Sequence, residues 1–89
     1  MTFLFELGRL LITPAAQDAL DPGDVVDSIQ RHAIGDWGDL DDEDRHENEA
    51  SLREGFRLMS AYTDRQGVQF WIITEADRSS TTVLLPDDY

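Results

Sequence analysis

The stretch from Val68 to Ala76 is apolar on both of its alternating sets, with Val68, Phe70, Ile72 and Thr74 on one and Gln69, Trp71, Ile73 and Glu75 on the other. A strand of that kind needs a neighbour on each side and cover over both faces, which makes it the centre of a sheet. Its flanks supply the neighbours. Before it, Phe56 to Thr63 alternates, and Asp64-Arg65-Gln66-Gly67 reads as a hairpin turn with glycine where a positive φ is useful. After it, Asp77-Arg78-Ser79-Ser80 makes a second turn, and Thr81 to Leu85 forms a last strand closed by Pro86. The C-terminal half is therefore expected to be a three-stranded antiparallel meander.

The N-terminal half must cover it. Phe3 to Ile12 is apolar on both alternations and is expected to be a strand with both faces partly covered, with Gly8 suited to a bulge or a close approach. Thr13-Pro14 and Asp21-Pro22 each place a capping side chain before a proline at the first helical position. They predict a short helix from Pro14 to Leu20 and a second reaching about His32, whose Val25, Val26, Ile29 and Ala33 recur at helical spacing and which ends near Gly35. With a third helix capped by Asp41 and running to about Arg53 or Glu54, the order is β-α-α-α-β-β-β. This predicts one α+β domain spanning residues 1–89, with helices on one face of an antiparallel four-stranded sheet that the N-terminal strand joins. The second sheet face, carrying Trp71 and Ile73, is then either covered by the acidic segment or is an interface with a second copy or a partner.

That third helix is the chemically unusual part. Between Asp36 and Glu49 stand eight carboxylates, Asp36, Asp39, Asp41, Asp42, Glu43, Asp44, Glu47 and Glu49, against one arginine, Arg45. Asp41 is placed to cap the helix, Asp42, Glu43 and Asp44 fall in the first turn where the helix dipole favours them, and Gly55 ends it. Trp37 and Leu40 are expected to anchor its start, and Asp41/Arg45 and Glu49/Arg53 to pair at i,i+4 for about 0.2–0.5 kcal/mol each. The whole chain has a formal net charge of −12 and no lysine. Such a chain is a poor ligand for nucleic acid, because phosphate affinity comes from Lys and Arg, and its natural partners are basic. Carboxylates three and four apart lie about 5–6 Å apart at Cβ, near the phosphate spacing of one DNA strand. The eight acids therefore form a candidate partner-binding surface for a basic nucleic-acid-binding protein or complex. A solvated helix face is the plain alternative, and a lysine-free acidic surface also fits a GC-rich genome or a salt-adapted host.

Other chemistry finds little support. There is no cysteine, so disulfides and thiolate metal sites are excluded. The aspartates do not match the calcium-loop pattern, which needs glycine at its sixth position and glutamate at its twelfth. His32 and His46 are the only histidines, and Ser79, Ser80, Thr81 and Thr82 lack a nucleophile elbow. His32 lies near the end of the second helix, where the dipole favours its cationic form. No enzyme activity, cofactor or metal is expected. The N-terminus has neither a basic leader region nor an uninterrupted apolar run, and a soluble cytoplasmic protein with no membrane contact is the expectation.

Gly8 to Pro14, Gly35-Asp36-Trp37-Gly38-Asp39-Leu40 and the run from Trp71 to Pro86 carry a further signal. Through them the chain resembles a family of small acidic bacterial proteins of plasmids, phages and genomic islands, described as plasmid-related and at times attached to restriction-modification systems. The resemblance carries over no catalytic motif. It implies a mobile genetic element, where small acidic proteins serve as inhibitors of host defence, of anti-restriction or anti-CRISPR type. The alternative is a homodimeric accessory or antitoxin-like module that uses the apolar sheet face at Trp71 and Ile73.

Overall fold

The structure, a computed structural model, describes residues 2–89. Along the chain run β1 (Arg9–Ile12), α1 (Pro14–Ala19), α2 (Pro22–Ala33), α3 (Asp42–Glu54), β2 (Leu58–Thr63), β3 (Gln69–Thr74), β4 (Ser80–Leu84) and a closing 3-10 turn, Pro86–Asp88. Each helix starts at the residue whose side chain the sequence offers as a cap. Thr13 accepts from the Ala16 N–H at 3.2 Å, Asp21 from Asp24 at 3.1 Å and Asp41 from Asp44 at 2.9 Å. Such caps contribute about 1 kcal/mol each by satisfying otherwise orphaned donors.

The α+β class and the meander are as expected, but the sheet is mixed rather than purely antiparallel. Its spatial order is β1-β4-β3-β2, with β1 parallel to β4 and the other two pairs antiparallel. A helical crossover as long as α1-α2-α3 can return the chain in either direction, so alternation alone does not fix the sense of the first strand. That strand is also shorter than the Phe3–Ile12 run suggests. Gly8 turns the chain against the Ser79 backbone, where a Cβ would have no room. Residues before it leave the sheet, so that the Leu4 N–H donates to the Ala33 carbonyl at 2.9 Å and the Phe5 ring meets His32 edge-on at 5.3 Å. All four β1 residues are exposed, contrary to the expected cover, because β1 is an edge strand.

The core lies between the sheet and α1-α2. Ala16 and Leu20 from the helical side pack on Tyr62, Phe70, Ile72 and Val83 from the strands, with Val25, Ile29, Val68 and Leu85 around them. Each large side chain so buried contributes about 1.5–3 kcal/mol. The helices do not all share this face, however. α3 stands beside β2, at the opposite edge from β1.

One end of the core is polar. His32 is fully buried, contacts the Ser60 hydroxyl through Nδ1, and lies 2.8 Å from the Thr74 hydroxyl through Nε2. Thr74 meets the Thr81 hydroxyl at 2.7 Å, and Thr81 donates to the Leu7 carbonyl at 2.7 Å. The last step fixes the next two: because Thr81 spends its proton on Leu7, Thr74 must donate to Thr81 and His32 must donate from Nε2 to Thr74. With the ring neutral, Ser60 then donates to Nδ1. Every member is satisfied by a neutral ring. Burial, with Arg78 as a lesser cause, pushes the His32 pKa down to about 4. The dipole-favoured cation expected at the end of α2 is thus overruled by desolvation.

Arg78 ties the pieces together. Its guanidinium donates to the Phe56, Glu75 and Ala76 carbonyls at 2.8, 3.1 and 3.2 Å and to the Ser51 carbonyl at 3.3 Å, and sits 5.7 Å from the Phe5 ring centroid. Its own backbone is left-handed, with φ 61. Arg78→Ala keeps that strain and loses every bond, so it should destabilise by about 2–3 kcal/mol in urea unfolding. Arg78→Gly also removes the strain and should cost about 1 kcal/mol less. Equal costs for the two would show that the turn stores no strain.

The acidic edge as a candidate partner-binding site

The outer edge of β2 is closed by the loop and helix that carry the acids. The Ala61 N–H donates to the Trp37 carbonyl at 3.2 Å and the Asp39 N–H to the Ala61 carbonyl at 2.7 Å, so the loop forms a one-residue bridge beside the strand. One step along, the Asn48 amide from α3 donates to the Met59 carbonyl at 2.6 Å and accepts from the Met59 N–H at 3.1 Å. That side chain stands in for a strand. Trp37, at 3% exposure, plugs the gap behind the bridge, stacked on Phe5 at 6.4 Å and edge-on to His32 at 5.7 Å. Its indole N–H has no partner among the described residues, a cost of about 1–3 kcal/mol that burial of the ring must offset.

The eight predicted acids fall into two groups. Asp36, Asp39 and Asp41 serve the fold itself. Asp36 binds the Arg31 guanidinium at 2.7 Å, which holds its carboxyl below the usual range, and accepts from the Gly38 N–H at 3.2 Å. Asp39 accepts from the Thr63 hydroxyl at 2.9 Å, and Asp41 is the helix cap. The remaining five, Asp42, Glu43, Asp44, Glu47 and Glu49, are exposed on α3 and have no ion-pair partner among the described residues. The expected Asp41/Arg45 and Glu49/Arg53 pairs do not form. Arg45 makes no ion pair with the exposed acids of α3 and donates instead to the Leu40 carbonyl at 2.9 Å and the Gly38 carbonyl at 2.7 Å. Two carbonyls in fixed geometry hold a guanidinium better than one mobile exposed carboxylate. The nearest cation therefore leaves the acidic face unneutralised.

On the helical wheel Glu43, Glu47 and Glu54 make one line, and Asp42 and Glu49 a second that ends in Arg53. Asn48, Ser51 and Leu52 face the protein. Asp44 and Glu47 reach the rim of a shallow cleft of about 200 Å³ that Leu40, Arg57 and Met59 also line. No group of three or more potential ligands suited to a metal ion occurs among the described residues.

The second sheet face is covered from two sides: the closing turn lies over β3, and Leu40, Asp44 and Glu47 of the acidic segment flank Met59 at the β2 edge. The closing 3-10 turn packs on β3, Tyr89 meets the Trp71 ring edge-on at 5.6 Å, and Arg57 lies over the Tyr89 ring at 5.3 Å and donates to its hydroxyl. Ile73 is left 4% exposed and Trp71 half-buried. No helix among the described residues is long and apolar enough to cross a membrane.

Asn48, Arg78 and the His32 chain were not singled out by the sequence pattern, and Arg45 was read only as a partner for Asp41. Asn48 had a usable signal, since it lies four residues before Leu52 on the packing stripe, where an amide needs a partner. The fold and its edge thus define a small α+β domain that carries an ordered, unneutralised acidic helix. No family model, curated protein or solved structure matches the chain.

Proposed function

We propose that this is a non-enzymatic protein that presents the outer face of α3 to the basic, nucleic-acid-binding surface of a partner, and so inhibits or modulates it. A restriction or CRISPR-type defence complex is the kind of partner that fits, by the family resemblance. One observation carries the reading. Asp42, Glu43, Glu47 and Glu49 are exposed on a helix docked by the Asn48 amide, while Arg45, the cation best placed to neutralise them, is turned to the Gly38 and Leu40 carbonyls. Holding like charges on a fixed helix costs stability through mutual repulsion, and a basic groove would offset that cost. The sheet face at Trp71 and Ile73 offers less, because Tyr89 and the closing turn already lie against it.

The test is capture of basic nucleic-acid-binding proteins from host lysate at low and high salt, with added duplex DNA as competitor. Binding should fall with salt and with DNA. The quadruple variant Asp42→Asn, Glu43→Gln, Glu47→Gln, Glu49→Gln should bind roughly 100-fold more weakly at low salt, at about 0.7 kcal/mol per charge. Capture that is indifferent to both salt and the four substitutions would sink the reading.

A further inference from the structure

The sheet has two edges and the chain treats them oppositely. β2 is closed by a backbone bridge, an asparagine amide and a hydroxyl-carboxylate contact. β1 is left open. The Arg9 N–H donates to the Ser79 carbonyl and the Thr13 N–H to the Val83 carbonyl, each at 3.0 Å, so by alternation Leu11 also faces β4. Leu10 and Ile12 then turn their N–H and C=O groups outward. Their side chains and that of Leu11 are 56%, 38% and 40% exposed. An uncovered apolar edge is a template for another strand, and proteins ordinarily blunt such edges with charge, proline or cover.

We infer that β1 pairs antiparallel with β1 of a second copy about a two-fold axis at Leu11, joining the two sheets into one of eight strands. Three observations choose a second copy as the occupant. First, the edge is locally almost uncharged in a chain of net charge −12, because Arg9 is the only charged residue from Leu7 to Gln17. Two copies can therefore meet here without bringing acids together. Second, the register that pairs Leu10 with Ile12 of the second copy puts Leu11 against its own equivalent and Arg9 opposite Thr13. Thr13 donates to the Asp88 carboxylate at 2.6 Å, so each Arg9, which has no ion pair among the described residues, arrives beside an Asp88 of the other copy. Third, Ile12 also lines an apolar groove of about 270 Å³ with Ala16, Leu20, Val25 and Val26. Leu10 of the second copy enters at the mouth of that groove, beside Ile12. The contact is short, so the dimer should be weak, with a Kd on the order of micromolar. It leaves α3 free, because α3 stands at the opposite edge, and it does not rest on the proposed partner.

The register makes a sharp prediction. Leu11 and its equivalent form a non-hydrogen-bonded antiparallel pair, with Cα atoms about 4.5 Å apart, within disulfide range. The wild-type chain has no cysteine. Leu11→Cys should therefore cross-link to a covalent dimer under mild oxidation, and Asp18→Cys, on the surface of α1, should not. In sedimentation equilibrium the wild type should reach twice the monomer mass as concentration rises. Leu11→Lys should stay monomeric with an unchanged circular dichroism spectrum, and Arg9→Glu should raise the Kd roughly tenfold. A wild type that stays monomeric at every concentration overturns the inference, as does a dimer that survives Leu11→Lys, or equal cross-linking of the two cysteine variants.

Discussion

Gly38→Ala should lower the free energy of unfolding by about 3–5 kcal/mol, among the largest effects of a single methyl group in this chain. Two terms add. Gly38 has φ +73, where an L-residue costs about 1–2 kcal/mol. The new Cβ would also be driven into the Ala61 carbonyl oxygen and lie 2.6 Å from the Tyr62 ring. Ala61 is the strand residue that the loop bridges on both sides, so the clash can relax only by breaking backbone bonds worth about 1 kcal/mol each. Gly55→Ala separates the terms. Gly55 has nearly the same φ, +77, but nothing lies within 4 Å of its missing Cβ, so only the conformational cost of about 1–2 kcal/mol applies. Urea unfolding of both variants decides the matter. Equal destabilisation would mean that the bridge yields freely and does not lock the acidic segment.

The second large effect is expected from acid. The His32 ring is held neutral with a pKa of about 4, while in the unfolded chain it titrates near 6.5. Between those values the unfolded state binds a proton that the folded state refuses. Stability therefore rises with pH through this window; it is complete above about pH 6.5 and declines as pH falls toward 4. A shift of that size corresponds to about 3 kcal/mol, a large part of the 5–15 kcal/mol typical of a domain. The carboxylates held below their ordinary value of 3.8, such as Asp24 by Arg65 and Asp64 by the Val68 N–H, act only at lower pH, so the windows separate. Unfolding free energies at several pH values between 4 and 7 should follow this curve for the wild type. They should be lower but flat for His32→Gln, which keeps polar contact with Ser60 and Thr74 without a titrating ring. A wild-type profile as flat as the variant's would show that the buried chain accepts a charged ring.

Much of this architecture can be read from the residues. Alternation around Phe70-Trp71-Ile72-Ile73 places the central strand, and Thr13, Asp21 and Asp41 mark where each helix begins, because strand period and cap chemistry are local properties. What escapes the sequence depends on residues far apart. Nothing near Leu10 says that its strand runs parallel to Thr81-Thr82-Val83, and the apolar run from Phe3 hides the turn at Gly8. The acidic surface is legible as composition but not as geometry. Asp36 and Asp39 look no different from Asp42 and Glu43, yet Arg31 and Thr63 claim the first two. The buried polar chain leaves a trace only in hindsight, since the inward-facing rows of β2, β3 and β4 each contain one serine or threonine, Ser60, Thr74 and Thr81.

The parallel pairing of β1 with β4 also sets the order in which the molecule can be completed during synthesis. Leu7 is held by Thr81 and Thr13 by Asp88, contacts that span 74 and 75 residues. The first strand to leave the ribosome must therefore wait for the last. Contacts so distant in the chain form late, because the intervening loop must close before they contribute. Until then Leu10, Leu11 and Ile12 travel as an unpaired apolar segment in a nascent chain whose other strands are not yet made. An apolar, unpaired strand of this kind is more open to misassembly in that interval than in the finished fold.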